Sequence, residues 1–255
     1  MNPEKMRRLG VWMAVVAGYT LLTLVYLRPV WRVGGERVAA NTGDPVFNLY
    51  VLKWSARQIR LGLPDLWNAN LFHPNPGTLT YSDHLLGPAA QLALFLEAVP
   101  NAIAGYNFLF VTSFIASALA VCWVFRRAGL SWIAAVLAGW MFAFSPFRLS
   151  QMTHIQVLIA QWVPLTLWFW DRLLAERRPK DAALFLLFYL LNLSGGAYLA
   201  YMIHFAMLAL LVNRLRLHGR EIVAARSLRV LAPVIGVAAA AGAALFLPYI
   251  KVSRT

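Results

Sequence analysis

The sequence predicts an all-α fold: a polytopic transmembrane helical bundle with about seven spans and a long extracytoplasmic first loop. Composition is the first reason, because 60% of the 255 residues are hydrophobic and only 13% are charged. A soluble domain of this composition would leave large apolar areas in contact with water. The lengths of the apolar segments and the placement of the basic residues are the other two reasons.

The apolar segments are mostly near the ~20 residues that a helix needs to cross ~30 Å of hydrocarbon. We expect one transmembrane domain, 1–255, in which residues 31–100 form the long first loop. A further apolar stretch, 85–100, ends this loop and is predicted to be a half-buried or interfacial helix. The predicted spans are 10–29, 101–125, 131–147, 153–171, 182–194, 197–212 and 230–248.

The net charge of +13 comes from basic residues that lie between the apolar segments. Fourteen of the 23 Lys and Arg residues are in the N-terminal segment or in short loops. The positive-inside rule then places these loops and the N-terminus in the cytoplasm of a multi-pass plasma (inner) membrane protein. Nucleic acid is not an expected partner, because the charge is not gathered on one face. The single Cys122 excludes an intrachain disulfide.

The first loop carries the chemistry-bearing residues. Gly43-Asp44-Pro45 precedes a segment of helical periodicity that ends near Arg60, with Asp44 suited to the N-cap and Pro45 to the first helical position. Lys53 and Arg57 can reach lipid headgroups from this helix, which we expect to lie on the outer leaflet. Asp44 is either a helix cap alone or a rigidly placed base. The capping position is compatible with both roles.

Further candidates lie at the predicted outer ends of helices. Asp83 and His84 stand before the half-buried helix, where the alternatives are an N-cap and an interfacial side chain. Arg148 ends the third span, and such an arginine is either functional or bound to lipid phosphate. The remaining candidates are His154 and Gln156 at the start of the fourth span and Tyr198 after the Gly195-Gly196 break.

The arrangement resembles the GT-C superfamily of integral-membrane glycosyltransferases. The resemblance rests on the first span, the loop with Gly43-Asp44-Pro45 and its interfacial helix, and the string from Phe142–Arg148 through His154 to Trp162–Leu165. It implies transfer of a sugar from a polyprenyl-phosphate donor on the extracytoplasmic face. By resemblance, Asp44 matches the catalytic aspartate of the first outer loop.

The implied chemistry assigns roles to the candidates. An inverting transfer needs one base, Asp44, and cations that stabilise the departing phosphate, for which Arg148 is the first choice and Lys53 or Arg57 are substitutes. Membrane lipid and a glycan, lipid or protein acceptor are the other expected partners. Asp83, His84 and His154 are the candidates for binding the acceptor or for assisting a divalent metal, Mg²⁺ or Mn²⁺, whose presence is left open. Gln156 and Tyr198 are further substrate-binding candidates.

Members of that superfamily are usually longer, so the chain is interpreted as an N-terminal fragment or a truncated member. Two other functions stay open. A lipid or sugar transporter or flippase would explain the Gly195-Gly196 break, and it predicts polar residues through the middle of several spans. A non-catalytic membrane assembly protein would need none of the outer carboxylates, so it predicts that Asp44 is replaceable.

Overall fold

The computed structural model describes residues 2–253, and these residues form α-helices with no β-strand. A short 3₁₀ helix, Thr78–Tyr81, lies between the third and fourth α-helices. The all-α prediction is therefore confirmed for the described chain. In order, the helices are α1 (Pro3–Tyr26), α2 (Arg28–Val33), α3 (Asp44–Arg60), α4 (Leu86–Ala98), α5 (Ala102–Arg127), α6 (Trp132–Ala143), α7 (Pro146–Ser150), α8 (Ile155–Leu158), α9 (Trp162–Glu176), α10 (Pro179–Leu193), α11 (Ala197–Ile222) and α12 (Ala225–Val252).

Several helices have the length and composition of membrane spans. Within residues 2–253, five segments are long and apolar enough to cross a membrane. The shorter apolar helix α4 occupies the segment predicted to be half-buried. These helices are those of a multi-pass membrane protein. The five segments are Pro3–Tyr26, Ala102–Arg127, Trp132–Ser150, Ala197–Ile222 and Ala225–Val252.

The other two predicted spans differ from the structure in length. The segment 153–171 is divided into the single-turn α8 and the start of α9. Pro164 has no N–H to donate, and in the structure it lies in the first turn of α9, where that N–H has no helical partner in any case. Helices α9 and α10 have 15 residues each, so each extends only about 22 Å along its axis.

The chain forms two compact units. The first comprises Met1–Leu49 and Phe95–Gln161, and the second comprises Tyr50–Leu94 and Trp162–Thr255. In the first unit, α5 packs against α1 and α6 around the fully buried Phe110 and Phe114. The Tyr19 hydroxyl of α1 donates to the Val136 carbonyl of α6 at 2.7 Å.

Asn107 of α5 fixes the backbone that leads to α3. Its side-chain amide donates to the carbonyls of Gly34 at 2.6 Å and Arg37 at 2.8 Å, and its Oδ1 accepts from the Ala39 amide at 2.8 Å. One buried side chain thus satisfies three backbone groups of a segment without regular structure. This anchors residues 34–39 on α5, five residues before α3 begins.

The second unit is built on α9 and α10, with α11 and α12 packed against them. Stacked aromatic rings fill the contact between α9 and α10, including Phe169 on Phe188 with centroids 5.6 Å apart. A bidentate ion pair joins α9 to α11: Nε and Nη2 of Arg214 each donate to one carboxylate oxygen of Asp171 at 2.7 Å. Such fork-to-carboxylate pairs add geometric specificity to a contact between helices.

Candidate functional site

Asp44 is the first residue of α3, not its N-cap. The carbonyl of Gly43 accepts the first helical bonds, from the amides of Val46 at 3.1 Å and Phe47 at 3.4 Å. The sequence prediction was wrong by one position, a shift within the usual uncertainty of helix ends. The Asp44 carboxylate therefore does not cap its own helix by side chain, and its Oδ2 lies 2.9 Å from Nε2 of His154.

His154 is held in a tight turn between α7 and α8. Its amide donates to the Gln151 carbonyl at 2.9 Å, and its Nδ1 lies 3.1 Å from Thr153 Oγ1. The Thr153 carbonyl accepts from Asn48 Nδ2 of α3 at 3.5 Å. Because Asn48 lies one helical turn after Asp44, the turn contacts α3 at two successive levels. This arrangement aims the imidazole at the Asp44 carboxylate.

The Asp44 and His154 pair is accessible. The two side chains are 58% and 37% exposed. An ionised carboxylate can only accept hydrogen bonds, so Nε2 of His154 is the donor. Asp44 Oδ1 is left to receive a proton from another molecule. The pair therefore has the composition of a general base with an orienting partner.

Arg148 lies in the interior of the same unit. Its side chain begins in α7 and is 4% exposed. Nε donates to the Ala143 carbonyl at 3.1 Å, and the guanidinium lies 5.1 Å above the Phe114 ring and 5.7 Å from that of Phe142. Nη1 and Nη2 are buried and have no hydrogen-bond partner among residues 2–253. A buried charge of this kind is costly unless something compensates it.

Other buried polar atoms of the first unit also lack partners within the described chain. They are the Tyr106 hydroxyl, the Ser117 hydroxyl, Nε of Arg126 and the Oε1 atoms of Gln156 and Gln161. Buried polar groups are normally satisfied by protein or water. Only Gln156 was predicted as a site residue. The others sit in or beside apolar segments, where a single polar group gives no pattern by which sequence reasoning could find it.

Asp83 caps a helix far from it in sequence. Its Oδ1 accepts from the Ala197 amide at 2.5 Å, at the start of α11. Burial raises the pKa of this carboxyl, and hydrogen bonds from the Ala197 and Tyr198 amides oppose that effect. Gly196, at φ +139°, is required there, because a Cβ would lie 2.5 Å from the carboxylate. The predicted capping role is thus found at α11 rather than at the following helix α4.

His84 is fully buried and not interfacial, so that alternative was wrong. Its Nδ1 lies 3.0 Å from the Tyr249 hydroxyl, which donates to the Ser82 carbonyl at 3.0 Å. Trp67 and Phe246 pack edge-on against the imidazole, with centroids 6.1 and 5.8 Å away. Burial lowers the pKa of His84 to about 4. The ring is neutral near pH 7 and links the loop to α12.

The remaining candidates of the second unit are exposed. Lys53 and Arg57 lie on the exposed face of α3, one turn apart, opposite the buried Val51 and Leu52. Tyr198 is 44% exposed in the first turn of α11. Their roles in substrate binding stay predictions, as do those of Asp83, His84 and Gln156.

The described residues offer few ligands for a metal ion. Within residues 2–253, no group of three or more His, Cys, Asp or Glu side chains is placed to hold a metal ion. Asp44 and His154 offer two ligands of the kind that Mn²⁺ accepts, fewer than a dedicated protein cage supplies. The Mg²⁺ or Mn²⁺ prediction is neither supported nor tested by this geometry.

Comparison with known protein families gives a match over most of the chain. Residues 11–253 match the model of a family described as a domain of unknown function, DUF6311. No curated protein matches the sequence, and no solved structure matches the fold. Because the family model covers nearly the whole chain, the chain belongs to the DUF6311 family.

Proposed function

We propose that this member of the DUF6311 family is a membrane glycosyltransferase, which moves a sugar from a polyprenyl-phosphate donor to an acceptor hydroxyl with inversion. The observation that carries the proposal is the pairing of Asp44 with His154 at 2.9 Å, on an accessible part of the first unit. The two residues come from different parts of the chain, and helix capping gives no reason for their pairing.

Asp44 is the proposed base. The acceptor oxygen attacks the anomeric carbon of the sugar, its proton passes to Asp44, and the bond from that carbon to the donor phosphate breaks. The products are the glycosylated acceptor and polyprenyl phosphate. One carboxylate suffices for this single displacement, whereas a retaining reaction would require a second one about 5 Å away. His154 holds the Asp44 carboxylate in one orientation.

Arg148 is the proposed partner of the donor phosphate. Its two buried Nη atoms form a planar pair of donors without a partner in the described chain. This geometry matches two oxygens of one phosphate, which would compensate the buried charge. In the transition state the phosphate gains negative charge, so the same contact would favour the reaction.

The remaining assignments follow from the orientation that the positive-inside rule favours. We place the reaction on the extracytoplasmic face of the plasma membrane, with the N-terminus in the cytoplasm. Lys53 and Arg57, both exposed on α3, are proposed to contact headgroups or the donor phosphate. Tyr198, which is also exposed, is the proposed acceptor contact. The acceptor is a glycan, a lipid or a protein.

The test is sugar transfer from a radiolabelled polyprenyl-phosphate donor pool in membranes that contain the native chain, Asp44→Asn or Asp65→Asn. Asp65 is a matched control, because it is an aspartate of the same loop whose Oδ1 only accepts from Asn68. A catalytic base predicts a loss of about 100-fold or more for Asp44→Asn and native transfer for the control. Equal transfer by native chain and Asp44→Asn, at equal protein level, would refute the proposal.

Transport is the second candidate, and one observation favours it. The Tyr106 and Ser117 hydroxyls of α5 are buried in an apolar helix of the first unit and have no hydrogen-bond partner among the described residues. Polar groups at such positions can line a path for a polar solute. A flippase or transporter would move labelled lipid or sugar across proteoliposomes with Asp44→Asn as fast as with the native chain.

A further inference from the structure

A basic and aromatic pocket lies at one end of the first unit, and the proposed transfer reaction does not use it. It has a volume of about 360 Å³ and is formed where α1 begins, α5 ends and α6 begins. Three arginines and three tryptophans line it. They are Arg8 and Trp12 of α1, Trp123, Arg126 and Arg127 of α5, and Trp132 of α6.

Two of the arginines are held in place by the aromatic rings. The Arg126 guanidinium lies 4.5 Å above the Trp132 ring, and that of Arg127 lies 5.8 Å from the Trp123 ring. Trp12 packs edge-on against Trp132, with centroids 5.1 Å apart. These contacts fix the cations at the pocket wall instead of leaving them mobile in solvent.

The positive charge of the pocket is largely uncompensated. Glu4 pairs with Arg8 at 2.5 Å. Within residues 2–253, no carboxylate lies within ion-pair distance of Arg126 or Arg127, and the buried Nε of Arg126 has no hydrogen-bond partner. The end of α5 also contributes the negative pole of its helix, but its carbonyls are capped by the Ala128 amide. The pocket therefore favours an anion.

An apolar groove continues from the basic pocket along the same two helices. It has a volume of about 690 Å³ and runs between α1 and α6 from Val11 to Tyr26 and Trp140. Val11 follows Arg8 by three residues and Val136 follows Trp132 by four, so the groove begins about one helical turn beyond the basic pocket on the same faces of α1 and α6. The α1 part, from Val11 to Tyr26, is about 22 Å long at 1.5 Å per residue. That exceeds the ~15 Å depth of one leaflet of a ~30 Å core.

We propose that α1, α5 and α6 form a binding site for an anionic membrane phospholipid. The phosphate group contacts Arg126 and Arg127 in the basic pocket, and one acyl chain lies in the groove along α1 and α6. The charge alone would suit a free phosphate as well. The lipid is the occupant because an apolar groove of acyl-chain length begins about one helical turn from the anion site, on two candidate membrane spans.

Gly18 provides a test of the acyl-chain part. It lines the groove, and a Cβ added there would meet no described atom within 4 Å, so Gly18→Leu has room to begin its side chain and occupies part of the groove. Gly10 is the matched control. It lies on the same helix, has the same open surroundings and does not line the groove.

The phosphate part is tested with Arg126→Gln/Arg127→Gln. The matched control is Arg226→Gln/Arg229→Gln, which removes the same amount of charge. Both arginines are exposed on α12, and neither lines the basic pocket. Because a basic residue near an anionic headgroup contributes about fivefold to affinity, losing two lowers it by about 30-fold.

The experiment is native mass spectrometry of the full chain in detergent, titrated with phosphatidylglycerol, phosphatidylcholine or inorganic phosphate. The proposal predicts retained phosphatidylglycerol, about 30-fold weaker binding by the Arg126 and Arg127 variant, weaker binding by Gly18→Leu, and native binding by both controls. Phosphatidylcholine that binds as tightly as phosphatidylglycerol would overturn it. So would inorganic phosphate that displaces the lipid while Gly18→Leu binds normally, which would indicate a free-phosphate site.

Discussion

At the residue scale, the informative side chains are those whose local environment contradicts a purely structural role. Asp44 stands where a cap is expected, yet its carboxylate contacts His154 instead of helix amides. Arg148 is buried with two nitrogens unpaired within the described chain. Asp83, by contrast, has backbone partners at the start of α11, which is a sufficient structural explanation for it.

Replacing Arg148 by Met distinguishes a structural role of this side chain from a role in the transfer reaction. Methionine fills similar volume between Phe114 and Phe142 without a charge, and apolar replacement of a buried ionic group is commonly neutral or stabilising by about 1–4 kcal/mol. We expect Arg148→Met to retain or raise the melting temperature in detergent while sugar transfer is lost. A melting temperature that falls by more than about 4 °C would show instead that Arg148 is structural.

His84 makes stability depend on pH. Its pKa is lowered to about 4 in the folded chain, against an ordinary value of 6.5, so the unfolded chain binds more protons between these values. Stability is therefore full above pH 6.5 and is lost as pH falls toward 4, by about 3 kcal/mol in total. The measurement is the melting temperature as a function of pH for the native chain and for His84→Gln. The curve of the variant should be flatter than that of the native chain between pH 4 and 6.5.

His73→Gln is the control for that experiment, since His73 is an exposed histidine of the same loop. It should leave the pH dependence unchanged. The contribution of Asp83 to the pH dependence of stability has the opposite sign to that of His84. Burial raises the pKa of Asp83, so its protonation on acidification favours the folded chain. If His84→Gln kept the native pH profile, the buried neutral histidine would not be the cause of the acid sensitivity.

At the element scale, the long apolar helices could be predicted from the sequence and the interrupted ones could not. Length and hydropathy identified α1, α5, α11 and α12, because a helix needs about 20 apolar residues to cross the hydrocarbon core and these helices supply them in one run. The break between α7 and α9 depends on tertiary contacts, such as that of the Thr153 carbonyl with Asn48. The pairing of His154 with Asp44 arises from this break, so sequence reasoning selected both residues without placing them together.

The start of α11 gives an element-scale prediction. Gly196 has φ +139° and lies against the Asp83 carboxylate, so Gly196→Ala is strained and displaces the cap. We expect a loss of about 1–3 kcal/mol in unfolding free energy. Gly219→Ala is the control, because that glycine lies just beyond the kink of α11 at His218, with open surroundings and ordinary φ. It should be neutral or stabilising by about 0.5–1 kcal/mol in thermal unfolding.

Equal stability of the two alanine variants would contradict the requirement for glycine at position 196. Asp83→Ala gives an independent check. Loss of a capping carboxylate typically costs about 1 kcal/mol, and Asp83→Asn should recover part of it because the amide oxygen still accepts from the Ala197 amide.

At the scale of the whole molecule, the all-α membrane class could be predicted because composition, the lengths of the apolar segments and the placement of the basic residues all indicate membrane-spanning helices. The number of spans is harder to predict from the sequence, because α9 and α10 have apolar sequences but only 15 residues each. The chain has a candidate transfer site on the first unit and, at the ends of α1, α5 and α6, a separate pocket for an anionic lipid.

The measurement that tests the central claim most directly is a double-mutant cycle on the rate of sugar transfer. It compares native chain, Asp44→Asn, His154→Gln and the double variant in the same membranes. If Asp44 and His154 act as one unit, the double variant is no slower than Asp44→Asn alone, because His154 acts only through the carboxylate. Strictly additive losses, or transfer unaffected by either change, would contradict the account.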